Sequence, residues 1–340
     1  MSTMNVDSKP GEIKANVWCQ LKPSGNLPDS RVGHTVVYYK KERKVVIIGG
    51  ATPDSLYNDV WVLNLNTLLC EKLDLAGNFE ARYEHSAFMP EDDEGRVWVF
   101  GGANTQENKN DLWEVNIDKL EWEKLPESGD VPSQRTFHTT TSKVDKKFFV
   151  FSGGAKQVEA IDDINMYQLD LVSKEWSIVP YKGQSPKPRQ GHVLVAVDDK
   201  VFCHGGMCGA ELFDDLHVMS SDGTWTSIEC ERRPSKRAAH GAAVHNKYIY
   251  IYGGLGDSGA LTDMWRLCID TLEWEEVITT GCVPQRRLDF SLTLVELPSR
   301  FMKEKDRGDE SEPSHPFLFL HGGMNETGHI FDDFYVMSLI

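Results

Sequence analysis

The sequence has no run of about 18 apolar residues, so it contains no segment that would cross a bilayer as one helix. Its first sixteen residues, MSTMNVDSKPGEIKAN, hold no apolar core; they do not read as a signal peptide and are expected to form a flexible tail. Basic residues are in deficit. Lys and Arg number 36 against 52 Asp and Glu, a net charge of −16, which argues against nucleic acid or an anionic membrane as a general partner. No Cys-x-x-Cys occurs among the seven cysteines at 19, 70, 203, 208, 230, 268 and 282. An odd, scattered set reads as reduced thiols in a cytoplasmic protein. A Gly-rich phosphate loop and a serine nucleophile elbow are also missing.

What the sequence does have is a repeat. Apolar runs end in Gly-Gly six times: VVIIGG, VWVFGG, FVFSGG, VFCHGG, YIYGG and FLFLHGG, with the second glycine at 50, 102, 154, 206, 254 and 323. The spacing is 52, 52, 52, 48 and 69 residues. A period near 50 built from short strands marks a propeller, in which each unit is one blade. Five units open with an Arg-x-x-His: Arg31/His34, Arg82/His85, Arg135/His138, Arg189/His192 and Arg237/His240. The sixth has Arg287 but Phe290 where the His would stand, so blade six is expected to lack that polar contact. A small-and-apolar strand follows, then the Gly-Gly strand. Eight residues, or nine in the sixth unit, separate the second glycine from an Asp that opens a third strand: Asp59, Asp111, Asp163, Asp215, Asp263 and Asp333. A Trp marks the fourth strand at 122, 176, 225 and 274, with Cys70 in its place in the first unit. That Trp supplies a large buried surface and an N–H that should find an acceptor.

The sixth unit stops at DFYVMSLI with no Trp strand after it, whereas Val17-Trp18-Cys19-Gln20-Leu21 at the other end of the chain has the missing pattern. The expected fold is therefore all-β: a six-bladed propeller of four strands per blade over 17–340, closed by the N-terminal strand 17–21 completing the last blade. Residues 298–316, PSRFMKEKDRGDESEPSHP, lengthen the last interval and read as a flexible insertion within blade six, with Ser299, Ser311 and Ser314 as phosphorylation candidates.

The repeated Arg, His and Asp residues invite a catalytic reading. A group serving one reaction would be unique, however, and these recur blade after blade. They are expected to form a structural network in which a buried Arg, paired with an Asp and a His, ties the loops between blades. No catalytic residue, metal site or cofactor is expected. Glu211 and Asp215 have the first spacing of a Glu-x-x-x-Asp-x-x-x-His iron set, but the His stands at 217 rather than 219. Cys203 and His204 are adjacent in a strand and point to opposite faces.

These motifs resemble the kelch-repeat family over nearly the whole chain. Longer stretches (RYEHSAFMP, RVWVFGGAN, RTFHTT, GHVLVAV, FDDLHV and HGGMNETGHIFDD) are similar to its Rab-effector branch. The resemblance implies a monomeric, non-enzymatic scaffold that binds a GTP-loaded Rab. It also implies a role in transport from late endosomes to the trans-Golgi network, with peripheral recruitment to endosomal membranes. The alternatives are a kelch adaptor of another pathway and a metal-dependent kelch enzyme of the specifier or oxidase type. In kelch propellers the loops leading into the first strand and those after Gly-Gly share one face. On that face the basic side chains that the repeat does not explain are Lys182, Lys187, Arg232, Arg233, Lys236 and Arg286. They are the expected partner-binding residues, matched to an acidic surface.

Overall fold

The computed structural model describes residues 15–90, 94–136, 143–155, 160–298 and 314–339. His138, Ser299 and Ser311 lie outside them. Six antiparallel sheets form six blades. In blade one, strands Thr35–Tyr39, Lys44–Thr52, Ser55–Asn64 and Leu69–Lys72 pair in sequence. The first strands of neighbouring blades pack against one another around the axis, so they are innermost and the Trp-type strands outermost. The second strands are buried on both faces: Val45, Val46, Ile47 and Ile48 have no exposed surface. This is why they read as continuous apolar runs rather than as alternation.

The ring closes as the sequence predicts. Val17–Leu21 pairs antiparallel with Phe334–Ser338, Trp18 opposite Met337 and Leu21 opposite Phe334. Trp18 is fully buried among Tyr252, Leu318 and Tyr335. A short segment, Thr280–Gly281, adds to the outer side of this strand in parallel. Equivalent two-residue segments line the outer strands of blades one, three and four.

The outer Trp acts between blades. Four of the five pack on the residue that ends the second strand of the preceding blade: Trp18 on Tyr252 at 5.3 Å, Trp176 on Phe100 at 4.7 Å, Trp225 on Phe151 at 5.8 Å and Trp274 on His204 at 4.9 Å, while Trp122 stacks on Phe79 at 3.9 Å. The expected N–H acceptor is not there: the indole nitrogens of Trp18, Trp176, Trp225 and Trp274 are buried with no hydrogen-bond partner.

Blade six differs at the end opposite Gly-Gly. Its first two strands, Ser291–Pro298 and Ser314–His321, have eight residues each, and their pairing continues to Pro298 opposite Ser314. Both ends of the segment read as a flexible insertion are thus strand. Tyr38 and Lys40 of blade one hold this extension through the Glu296 carbonyl at 3.3 Å and carboxylate at 2.8 Å. Replacing Trp18 with Ala removes the interblade wedge at the seam. It should cost about 3–5 kcal/mol, and deleting residues 1–21 more; an unchanged melting temperature in either variant would contradict this closure.

Candidate functional site on the Gly-Gly face

Six arginines organise this face, and all six are fully buried. The peptide unit of each reaches the preceding blade. The second glycine of a blade donates its N–H to the Arg carbonyl of the next: Gly50 to Arg82 at 2.9 Å, Gly102 to Arg135 at 3.0 Å, Gly206 to Arg237 at 2.8 Å, Gly254 to Arg287 at 2.9 Å and Gly323 to Arg31 at 3.0 Å. In blade three the donor to Arg189 is Gly153, at 2.9 Å, one residue early. A side chain could not replace the second glycine: at Gly50 φ is +101°, and a Cβ would lie 2.8 Å from the His34 Cβ and 2.9 Å from the Val32 carbonyl.

The guanidinium stays within its own blade. It donates to the carbonyl that precedes the second glycine (Gly49, Gly101, Gly205, Gly253 and Gly322, with Ser152 in blade three) at 2.8–3.1 Å. It also pairs with the Asp that opens the third strand, at 2.6–3.2 Å. The carboxylate accepts a further bond from an aromatic donor: Trp61, Trp113, Tyr167, His217 or Trp265 at 2.7–3.0 Å. His217, one of the residues set against an iron motif, fills this recurring place. Burial raises the Asp215 carboxyl, but hydrogen bonds from Arg189 and His217 outweigh it and hold the group well below the usual carboxylate range.

The histidines do not join the Arg–Asp pair as expected. They cross to the neighbouring blade: His34 Nε2 lies 3.0 Å from His321 Nδ1, and His240 Nε2 lies 3.2 Å from His204 Nδ1. His85 bonds the Thr35 hydroxyl at 2.9 Å, and His192 lies edge-on to Phe151 at 6.1 Å. Burial, then neighbouring charges, pushes His34, His240 and His321 well below 6.5, and His204 to about 3, so these rings are neutral. At the His position of blade six, Phe290 meets Tyr252 edge-on at 5.8 Å. Neither partner at that interface is a histidine, and the Tyr252 hydroxyl is taken up by the Pro284 carbonyl at 3.0 Å.

The six extra basic residues do not form one bare patch. Lys187 lies 3.5 Å from Glu211, Arg233 donates to Asp214 at 3.0 Å and Arg286 lies 3.8 Å from Glu326. Each of these acids belongs to a loop after Gly-Gly. Arg232 donates to Glu276 at 3.1 Å and covers the Trp265 ring at 5.3 Å. Lys236 is exposed. Lys182 is elsewhere: it pairs with Asp222 at 3.0 Å in the turn after Leu216–Met219, a strand that starts beside Gly-Gly and runs away from it. The rim is therefore a belt of exposed ion pairs, each worth little to stability and available for exchange with a partner's charges. Cys203 is buried and pushed up to about 12 by burial. Among the described residues no three His, Cys, Asp or Glu side chains are grouped to hold a metal.

Motif reading missed what lies at the axis. At the five such positions among the described residues, the residue two after the Arg has left-handed φ (Gly33 61°, Glu84 53°, Gly191 63°, Ala239 53°, Asp289 58°). These residues join in a belt of N–H to O=C bonds: Glu84 to Gly33 at 2.6 Å, Gly33 to Asp289 at 3.2 Å, Asp289 to Ala239 at 3.0 Å and Ala239 to Gly191 at 2.7 Å. The belt borders a cavity of about 520 Å³, to which Glu84, Asp289 and Asp54 contribute. Burial, then Asp289, pushes the Glu84 carboxyl well up, against a hydrogen bond from Thr136. Burial pushes Asp289 up to about 6. The Tyr83 hydroxyl is raised by burial and then by the same two carboxylates.

The KLHDC2/KLHL20/DRC7 Kelch-repeats domain matches residues 11–167 and 93–299. With six blades carrying the repeated Arg, Gly-Gly and Asp, the chain is a kelch β-propeller; it belongs to the kelch-repeat family. The Rab9 effector protein with kelch motifs of Mus musculus is 30% identical over 96% of this chain and 94% of its own length. Those of Xenopus laevis and Homo sapiens are 36% identical over 60% and 61% of the chain, each aligned over 57% of its length. The Tip elongation aberrant protein 1 of Schizosaccharomyces pombe is 28% identical over 56% of the chain but only 17% of that protein.

Two stability tests follow from the geometry. Arg31→Met leaves Asp59 without its charge partner and should cost about 3–5 kcal/mol; adding Asp59→Asn should recover part of that, and strictly additive losses would contradict the pairing. At the axis, carboxyls whose native pKa is raised favour the fold below the unfolded value near 4, and that contribution is lost as pH rises through about 6 for Asp289. The double variant Glu84→Gln/Asp289→Asn should therefore melt about 2–4 °C above the wild type at pH 7.5, with a smaller gap at pH 5.5. A lower melting temperature at pH 7.5 would contradict the assignment.

Proposed function

We propose that this chain is a non-catalytic protein-binding scaffold that acts as an effector of a Rab GTPase, Rab9 by similarity, taking the GTP-loaded form on its Gly-Gly face. One observation carries the reading: relatives named Rab9 effectors align with up to 96% of the chain, through the whole propeller rather than one blade. The distribution of chemistry supports it. The arginines repeated in every blade are buried and, with the half-buried Asp they pair with, spent on the fold, whereas the basic side chains that differ between blades stand in the exposed loops. Such a propeller would be a cytoplasmic monomer, recruited to late-endosomal membranes through its partner and promoting transport to the trans-Golgi network.

Rab9 loaded with a non-hydrolysable GTP analogue should be captured by the immobilised chain, and GDP-loaded Rab9 should not; equal capture of both, or of neither, would refute the reading. Arg232, Arg233 and Lys236 are proposed to meet acidic residues of the GTPase. Reversing all three to Glu should slow association and weaken binding about tenfold or more at low salt, with the difference shrinking as salt rises.

A further inference from the structure

The repeat provides its own control for the axial carboxylates. Five described positions share one backbone task, the left-handed turn that passes a hydrogen bond around the axis. In three blades a minimal residue does it: Gly33, Gly191 and Ala239. Glycine costs least at positive φ, and a carboxylate-bearing side chain there adds strain. Glu84 and Asp289 are therefore surplus to the turn.

Nor do the two side chains repay that cost within the fold. Glu84 has the Thr136 hydroxyl as a partner, and the Asp289 carboxylate has no hydrogen bond or ion pair among the described residues. The two acids flank blade one, whose Gly33 has no side chain to separate them; a Cβ there would lie 3.1 Å from the Glu84 Cγ. Asp54, in the blade-one loop after Gly-Gly, adds a third carboxylate to the same cavity. Val32, Leu56, Leu288, Met324 and Ile330 supply apolar wall, and no Lys or Arg is among the described lining residues. An acidic floor with apolar sides suits a cation on an aliphatic stem, the chemistry of a long basic side chain. The belt of ion pairs on the surrounding rim would then meet the rest of the same partner.

We infer that the axial cavity is a socket for a lysine or arginine side chain of a protein partner, with Glu84, Asp289 and Asp54 as its counter-charges. The assignment rests on the reading of this propeller as a protein-binding scaffold, but not on which GTPase it takes. Occupation would relieve the repulsion between Glu84 and Asp289, so the strain held at the axis would be released on binding.

The test uses the full chain and a random heptapeptide phage library, with no GTPase present, so its outcome is separate from that of the Rab9 capture. Peptides selected by the wild type should be enriched in Lys or Arg, and Glu84→Gln/Asp289→Asn should lose that enrichment while its melt shows it folded. A selected peptide should bind the double variant at least tenfold more weakly, and should lose a similar factor when its basic residue becomes citrulline or norleucine. Selection of no peptides, of peptides without a basic residue, or of the same peptides by both proteins would overturn the socket. Agmatine binding as tightly as the peptide would overturn the assignment to a partner's side chain.

Discussion

Each blade is joined to the next through the peptide unit of a buried arginine, and the rest of the molecule depends on that link. The Arg carbonyl accepts from a glycine of the preceding blade, while its guanidinium is held inside its own blade by an Asp and a turn carbonyl. The charge pair therefore does not cross the interface. It fixes the place of the backbone that does cross it. A guanidinium with no exposed surface is tolerable only because its donors are matched and a carboxylate neutralises it. For the same reason the motif recurs almost unchanged in every blade.

The remaining interblade contacts vary in matched pairs around that link. In blades four and five the residue before Gly-Gly, His204 or Tyr252, meets both the His-position side chain and the outer Trp of the next blade. His321 faces His34 and His204 faces His240, but Tyr252 faces Phe290. Loss of the histidine in blade six is thus the apolar half of an interface whose other half is aromatic too. The matching is not general, since His192 keeps its polar ring edge-on to Phe151.

The architecture was legible in the primary structure because a closed propeller repeats its solution. The Gly-Gly period, the Asp that opens the third strand and the displaced Trp18 define the blades and the seam. The roles within the motif were less legible. The spacing of Arg and His suggests one network, yet they serve different interfaces. Strand register places Lys182 at the far end of its blade although the chain brings it close to Lys187. The axial carboxylates were in view as the variable residues of Arg-x-x-His. Their significance needs six blades arranged around one axis, which puts residues some two hundred positions apart on either side of Gly33.

What the sequence by itself determined is the number of blades, their strand order and the closure of the ring, because these follow from local patterns of apolar residues, glycine and tryptophan. Which charges are cancelled and which stand together was decided by tertiary structure alone. Electrostatics acts through space: the loops after Gly-Gly bring acids to the basic rim and neutralise it, while the turn at the axis brings two carboxylates together with no base beside them.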